Sequence, residues 1–250
     1  MKTTGNTILI TGGGSGIGRA LAERFHDLGN RVIVAGRRHA MLEELTAGRD
    51  GMAALELDVA DAGSIAAATA ELRERFPDLN VLVNNAGISR PEDLTADEWD
   101  LDLATATIET NVIGVLRLTG AVLPLLRRQP NATIMTTTSG LAYVPLASHP
   151  TYSATKAFLH SWLQSLRHQL RESGVEVLEL SPPYVQTELG GPQQLTDPYA
   201  MPLDDYANEV LALLEAGDTP DGEVLVERVM GYRAAEREGR YAETFALGNQ

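Results

Sequence analysis

The sequence predicts an α/β fold, a three-layer doubly wound parallel sheet of the Rossmann-like kind with helices on both faces. Two observations carry the prediction. Short β-branched apolar runs alternate with segments of helical periodicity along the chain. The first such run ends directly in a glycine cluster, Gly12-Gly-Gly-Ser-Gly16-Ile-Gly18, which opens a helical pattern. The length of 250 residues suits one domain, 1–250, with a large core, and 44% hydrophobic with 22% charged residues is ordinary for a globular chain.

Thr7-Ile-Leu-Ile-Thr11 reads as the first strand. A helix follows over 19–28, where Leu21, Phe25 and Leu28 share a face and Gly29 ends it. The second strand is 31–35. Strand, glycine loop, helix and strand within about 30 residues is the setting in which such a loop binds a dinucleotide. Glycines permit the turn and let backbone amides approach a pyrophosphate resting on the helix N-terminus. The spacing here is T-G-x-x-x-G-x-G. After the second strand comes Gly36-Arg37-Arg38, with no acid to hold a ribose hydroxyl. A guanidinium suits a 2′-phosphate, so NADP(H) is expected over NAD(H), with NAD possible. The alternative is a solvated basic pair opening a helix.

A short helix is expected at 41–47 and a third strand at 52–57. Asp58 and Val59 leave that strand; Asp58 either accepts a bond from an adenine amino group or caps the helix at 64–76. The fourth strand, 81–83, runs into Asn84-Asn-Ala-Gly87. Helical patterns follow at 94–99 and 102–126. Asn111 lies in the second, where its amide competes for backbone bonds. It marks either a local distortion or an exposed polar position. The fifth strand is 131–137, followed by Ser139 and a loop at 141–150. A long helix covers 151–172, the sixth strand 175–180. Pro182-Pro-Tyr-Val-Gln-Thr187 leaves that strand. A Gly-, Pro- and Gln-rich stretch, 190–202, reads as a mobile flap over the site within 188–206. A helix at 203–216 and a strand at 223–229 complete the pattern; the tail from Gly231 has no assigned element.

The candidate chemistry centres on Tyr152-Ser-Ala-Thr-Lys156. Residues four apart share a helix face, so the phenol and the ammonium point into one space. A neighbouring cation lowers a phenol's pKa and fits it for proton transfer. Ser139 stands thirteen residues upstream at a strand's C-terminal end, where open α/β sheets present their chemistry.

Composition excludes several functions. No cysteine is present, which removes disulfides, thiolate metal sites and a cysteine nucleophile. A formal charge of −14 argues against nucleic acid or anionic membrane as the main partner. A strand starting at Thr7 leaves no room for a leader, so a cytoplasmic protein is expected. The five histidines suggest no ligand set: His160 and His168 are eight apart on one helix, and His26, His39 and His149 lie in separate elements, with His149 touching substrate or solvent.

Together Thr11-Gly-x-x-x-Gly16-x-Gly18, Asn84-Asn-Ala-Gly87, Asn111, Ser139 and Tyr152-x-x-x-Lys156 resemble the short-chain dehydrogenase/reductase family in order and spacing, over about residues 7–187. The resemblance implies a carbonyl reductase, or alcohol dehydrogenase in reverse. Tyr152 would be the general acid, Lys156 its tuning cation and ribose ligand, Ser139 the holder of the substrate oxygen, and Asn111 the keeper of a relay water. It implies cofactor contacts at Gly12, Ser15, Gly16, Ile17, Gly18, Arg37, Arg38, Asp58, Val59, Asn84, Ala86, Gly87, Pro182, Val185 and Thr187, besides Tyr152 and Lys156. Pro183 and Tyr184 replace the family's usual glycine-containing turn, and the glycine-rich ending is absent. In these respects the chain looks like the DltE-like branch of oxidoreductases, which names no substrate. Epimerase or imine-reductase chemistry, or a cofactor-bound sensor or scaffold, are the alternatives.

On the long helix Tyr152, Lys156, Leu159, Leu163, Leu166 and Leu170 form a stripe toward the sheet, with Phe158, Trp162 and Ser165 on another face. Family members commonly pair through this helix, so a homodimer or homotetramer is expected, with Trp162 near the interface or covered by the flap or tail. Leu141, Tyr143, Tyr184 and Leu189 are expected to line a mostly apolar substrate pocket, with Arg90 facing an anionic group or solvent.

Overall fold

The computed structural model describes residues 1–249. Seven parallel strands form one sheet in the order β3-β2-β1-β4-β5-β6-β7. They are β1 (Thr7–Thr11), β2 (Arg31–Gly36), β3 (Met52–Glu56), β4 (Val81–Asn84), β5 (Ala132–Thr137), β6 (Val175–Leu180) and β7 (Glu223–Val224). Each central strand is buried on both faces, which is why its sequence carries no charged residue and does not alternate, its polar positions being buried Thr or Asn. Strand order reverses between β1 and β4, where Ile8, Leu9 and Ile10 pair with Val81, Leu82 and Val83. A crevice opens beyond the strand ends at such a reversal.

Helices cover both faces. On one lie α1 (Gly16–Asp27) and α7 (Leu203–Ala216), whose Leu21, Phe25, Tyr206 and Val210 join Ile8, Ile10 and Val83 in one core. On the other lie α3 (Ala62–Arg75), α5 (Gly114–Leu126) and α6 (Pro150–Leu170), whose Leu72, Leu118 and Leu163 join Leu9, Leu82 and Ile134 in the second. The helix α2 (His39–Thr46) closes the β2–β3 connection.

Three stretches depart from the sequence reading. Residues 94–99 are turns, not helix. The Asp93 carboxylate accepts from Thr95 N (2.9 Å) and Thr95 Oγ1 (2.6 Å), so it captures the backbone bonds a helix would need. The helix α4 (Leu101–Ile108) starts only at Asp100, whose side chain caps Leu103 N at 3.0 Å. The strand expected at 223–229 stops at Val224, and α8 (Glu227–Ala234) follows. Buried Val226 and Val229 are three apart, a spacing a helix also satisfies. The unassigned tail holds the rest of α8 and α9 (Tyr241–Gly248).

Between α4 and α5 the chain forms a π-helical segment, Glu109–Ile113, with Asn111 buried at its centre. Of the two readings of Asn111, local distortion is the one the fold adopts. The run Leu101–Leu126 through this segment is long and apolar enough to cross a membrane, but 44% of its apolar window is buried within the protein.

Candidate active site

The glycine turn after β1 is shaped by contact. Gly12 has φ +65°, and a Cβ there would lie 3.0 Å from Ala86 Cα. Gly18 sits so close beneath the turn that a Cβ would fall 2.4 Å from the Gly12 carbonyl oxygen. Ser15 precedes α1 without capping it, so the first amides of that helix lack a side-chain acceptor. An open helix N-terminus beside a glycine turn is a phosphate cradle.

Thr11 locks the turn to the end of β4. Its Oγ1 accepts from Asn85 N (2.9 Å) and Ala86 N (3.0 Å), while Asn85 Nδ2 donates to Thr11 O at 3.1 Å. Asn84 points into the protein and donates to Thr119 Oγ1 (3.0 Å) and Thr136 Oγ1 (3.3 Å), tying β4 to α5 and β5.

A cleft of about 390 Å³ runs along the strand ends from Arg37, Arg38 and Asp58 at one extreme, past the glycine turn, to Tyr152, Lys156 and Arg90. Of the residues expected at the cofactor, Gly12, Ser15, Gly16, Ile17, Arg37, Arg38, Asp58, Val59, Ala86, Gly87, Tyr152, Lys156, Pro182 and Thr187 line it. Gly18, Asn84 and Val185 stand behind the wall; Val185 is buried and bridges to Met201 instead. Asp58 is not the cap of α3. That position belongs to Asp61, and Asp58 Oδ1 accepts from Ala60 N at 3.0 Å. Arg38 Nη2 donates to Ser15 Oγ at 3.1 Å, spanning the two sides of the cleft.

At the other extreme the side chains are buried. Tyr152 is 7% exposed, Lys156 4% and Ser139 7%. Pro150 opens α6, and the Glu92 carboxylate accepts from Thr151 N (3.0 Å) and Thr151 Oγ1 (2.8 Å), which fixes the turn that carries Tyr152. Lys156 Nζ donates to Thr137 O at 2.8 Å and lies 5.5 Å from the Tyr152 ring centre. Ser139 Oγ accepts from Leu141 N at 3.1 Å, which leaves its own hydrogen to donate. The Asn111 side chain clamps Ile88, accepting from its N and donating to its O at 2.9 Å each, and donates to Thr155 Oγ1 at 3.2 Å. Gly87 lies against both: a Cβ there would be 3.2 Å from Asn111 Oδ1 and 3.8 Å from Lys156 Nζ.

The electrostatics correct one expectation. Burial pushes the Tyr152 phenol up to about 12, with the Ser139 hydroxyl working against it, rather than the ammonium drawing it down. Burial also lowers Lys156 to about 8, opposed by the Glu179 carboxylate. In a site this dry, loss of hydration outweighs attraction between the two groups.

Glu179 is a partner that sequence reasoning missed. It lies on β6 with no exposed surface. It accepts from Thr138 Oγ1 (2.7 Å), from Ser181 Oγ (3.3 Å) and from His160 Nδ1 (2.9 and 3.0 Å). An acidic residue inside an apolar strand, four residues before Pro183, was the available signal. His160, Glu179 and Glu223 bring ligand atoms within 4.8 Å of one another, although the histidines suggested no such set. Arg233 holds Glu223 by two bonds, at 2.6 and 3.0 Å, so one of the two carboxylates in the cluster is paired with a guanidinium.

The expected apolar pocket is only partly assembled. Leu189 lines the cleft. Tyr143 turns away to bond Ser181 Oγ at 2.9 Å and stacks edge-on against His160, and Tyr184 is exposed with its hydroxyl on Asp197 at 3.1 Å. Within segment 188–206, Gln194 donates to Val185 O at 2.6 Å and accepts from Gly190 N at 2.8 Å. On α6, Phe158 is exposed, while Trp162 is half-buried against the core.

A family model described as short chain dehydrogenase matches residues 6–197. The chain is 41% identical over 239 residues to the uncharacterized oxidoreductase DltE of Bacillus subtilis, covering 95% of this chain and 94% of that one. It is 36% identical over 201 residues to sulfoacetaldehyde reductase 2 of Chromohalobacter salexigens, covering 76% and 79%. A short chain dehydrogenase from Burkholderia cenocepacia, solved in complex with NADP, superposes with a TM-score of 0.82 at 28% identity, covering 97% of this chain and 98% of that one.

Proposed function

Because this chain belongs to the short-chain dehydrogenase family, as an oxidoreductase of its DltE-like branch, we propose that it moves hydride between NADP(H) and a small carbonyl/alcohol pair, with Tyr152 as proton donor. The observation that carries this reading is the meeting of Tyr152, Lys156 and Ser139 at one buried end of a cleft whose other end is open and basic.

The cleft suits the dinucleotide on its own evidence: a glycine cradle that a Cβ would fill, an open helix N-terminus and two cleft-lining arginines. Amides near Ser15 and Ile17 would take the pyrophosphate. Arg37 and Arg38 would take the 2′-phosphate, and Asp58 and Val59 the adenine. Thr187, facing Gly16, would hold the nicotinamide side together with Ala86 and Gly87. The bound nicotinamide would supply or accept the hydride.

The chain's own groups do the rest. Lys156 spends one of its donors on Thr137 O and keeps two for a ribose hydroxyl and its surroundings. Ser139 donates to the substrate oxygen. Tyr152, kept protonated by burial, gives its proton to the alkoxide as charge develops there. Asn111 holds Ile88 and the Gly87 turn against Lys156, the position from which a relay water would serve it.

The reading extends to a cytoplasmic protein that pairs with a second copy through α6 and the α4–α5 segment that carries Asn111, where Phe158 on α6 and Leu101 and Ile108 on α4 are exposed. Light scattering is expected to give at least a dimer; a pure monomer at micromolar concentration would remove that part. The main test is fluorescence titration with NADPH and NADH followed by a carbonyl panel. Tight NADPH binding with reduction of aldehydes or ketones is expected. Binding without turnover across the panel would favour a sensor or scaffold, and no binding would sink the enzyme reading.

A further inference from the structure

The cofactor accounts for two of the three arginines that line the cleft. Arg37 and Arg38 stand at the β2 end. Arg90 stands at the other, three residues beyond Gly87, on backbone fixed by the Asn111–Ile88 clamp beside Lys156. Its Nη1 donates to Ser89 O (2.8 Å) and to Leu189 O (3.4 Å). Among the described residues, Nε and Nη2 of this exposed side chain have no protein partner, and no carboxylate pairs with the guanidinium.

The nearby acids do not neutralise it. Glu92, two residues on, is committed to Thr151 and to Trp99 Nε1. Glu188 lines the same cleft but makes no ion pair with Arg90. The whole chain carries a charge of −14 and therefore repels small anions. An exposed arginine without an ion-pair partner places a positive group in the cleft that Tyr152 and Lys156 also line. Its planar fork matches a carboxylate or sulfonate, whereas it adds nothing for a neutral aldehyde.

We propose that Arg90 is a specificity-determining residue that binds an anionic group of the substrate, making the preferred substrates small aldehydes or ketones that carry a carboxylate or sulfonate. This rests on the reductase reading above for its chemistry, though not for the anion site itself. The bond to Leu189 O gives the site a second property. Anion binding on Arg90 would be coupled to the placement of segment 188–206, because the same guanidinium holds its backbone.

The test compares succinic semialdehyde with butanal, matched in chain length and different in charge, using the NADPH-loaded enzyme. The wild type is expected to prefer the anion. Arg90→Gln is expected to lower kcat/KM for succinic semialdehyde by about tenfold, in keeping with an exposed charge, and that for butanal far less. Arg90→Lys should recover part of the loss, and Glu188→Gln should raise the anionic rate a few-fold, roughly as loss of a like charge predicts. Equal losses on both aldehydes, or no preference in the wild type, would overturn the proposal. Succinate binding separates its failure from that of the reductase reading. If neither aldehyde is reduced, a succinate-induced rise in melting temperature of the NADPH complex that Arg90→Gln abolishes still assigns the anion site. Absence of that rise overturns it.

Discussion

The two ends of the cleft are built on opposite principles. At the β2 end, Arg37 and Arg38 are exposed, and one bond from Arg38 to Ser15 is the tie between them and the glycine turn. At the β5 end, Tyr152, Lys156 and Ser139 are buried and each is fixed by its neighbours. Recognition of a phosphate dianion needs charge within reach, and a flexible guanidinium supplies it. Proton transfer needs a fixed distance and a shifted pKa, which only a packed, dry environment supplies. The difference teaches that residues at the buried end should respond to substitution with large losses, and those at the open end with graded ones.

The sharpest break in this comparison is Tyr152→Phe. It is expected to cost roughly 1,000-fold in kcat/KM, within the range for removing a positioned acid, with unchanged NADPH affinity. Steady-state rates with a fluorescence titration check it, and a loss below tenfold would move the acid elsewhere.

Next is Glu179→Ala, at a position that touches neither end directly. It leaves His160 and Thr138 without their buried acceptor and should destabilise the fold by about 3 kcal/mol. Urea unfolding measures this, and Glu179→Gln should lose less.

Smaller is Arg37→Ala, expected to weaken NADPH binding about tenfold while leaving NADH little changed, in keeping with an exposed charge. Equal or better NADH binding by the wild type would make the arginine pair a solvated turn.

The mildest probe is pH. Burial places Lys156 at about 8, so its cation, and NADPH affinity with it, should decline several-fold as pH rises through 8. Stability carries the opposite slope. Between about 8 and 10.5 the unfolded chain keeps a proton that the folded chain has lost, so the contribution of Lys156 to stability rises with pH. Melting curves and binding isotherms measured across that window should therefore diverge in sign.

Strands β1 to β6 and helices α1, α3, α6 and α7 were legible because each is a local pattern: an apolar run between turns, or a stripe at helical spacing. The losses share a cause. At 94–99 a helical pattern gave way to side-chain caps from Asp93 and Asp100. At 223–229 the valine spacing fitted strand and helix alike, and packing of Val226 and Val229 chose. The site divided the same way. Gly12, Gly16, Arg37, Tyr152 and Lys156 line the cleft as their spacing implies, whereas Asn84 and Gly18 serve the wall behind it.

The amino-acid sequence by itself determined the family, the parallel sheet and the placing of a phenol, an ammonium and a hydroxyl near one another, since helix period, strand–helix alternation and motif spacing are local properties of the chain. Only the tertiary structure decided their electrical state. Burial raised Tyr152 and lowered Lys156 against the attraction that their spacing suggests, and β6 brought Glu179 behind Thr138 and within reach of His160. The physical reason is that hydration and through-space charge depend on everything packed around a group, including elements far away in the chain, and no local spacing encodes that sum.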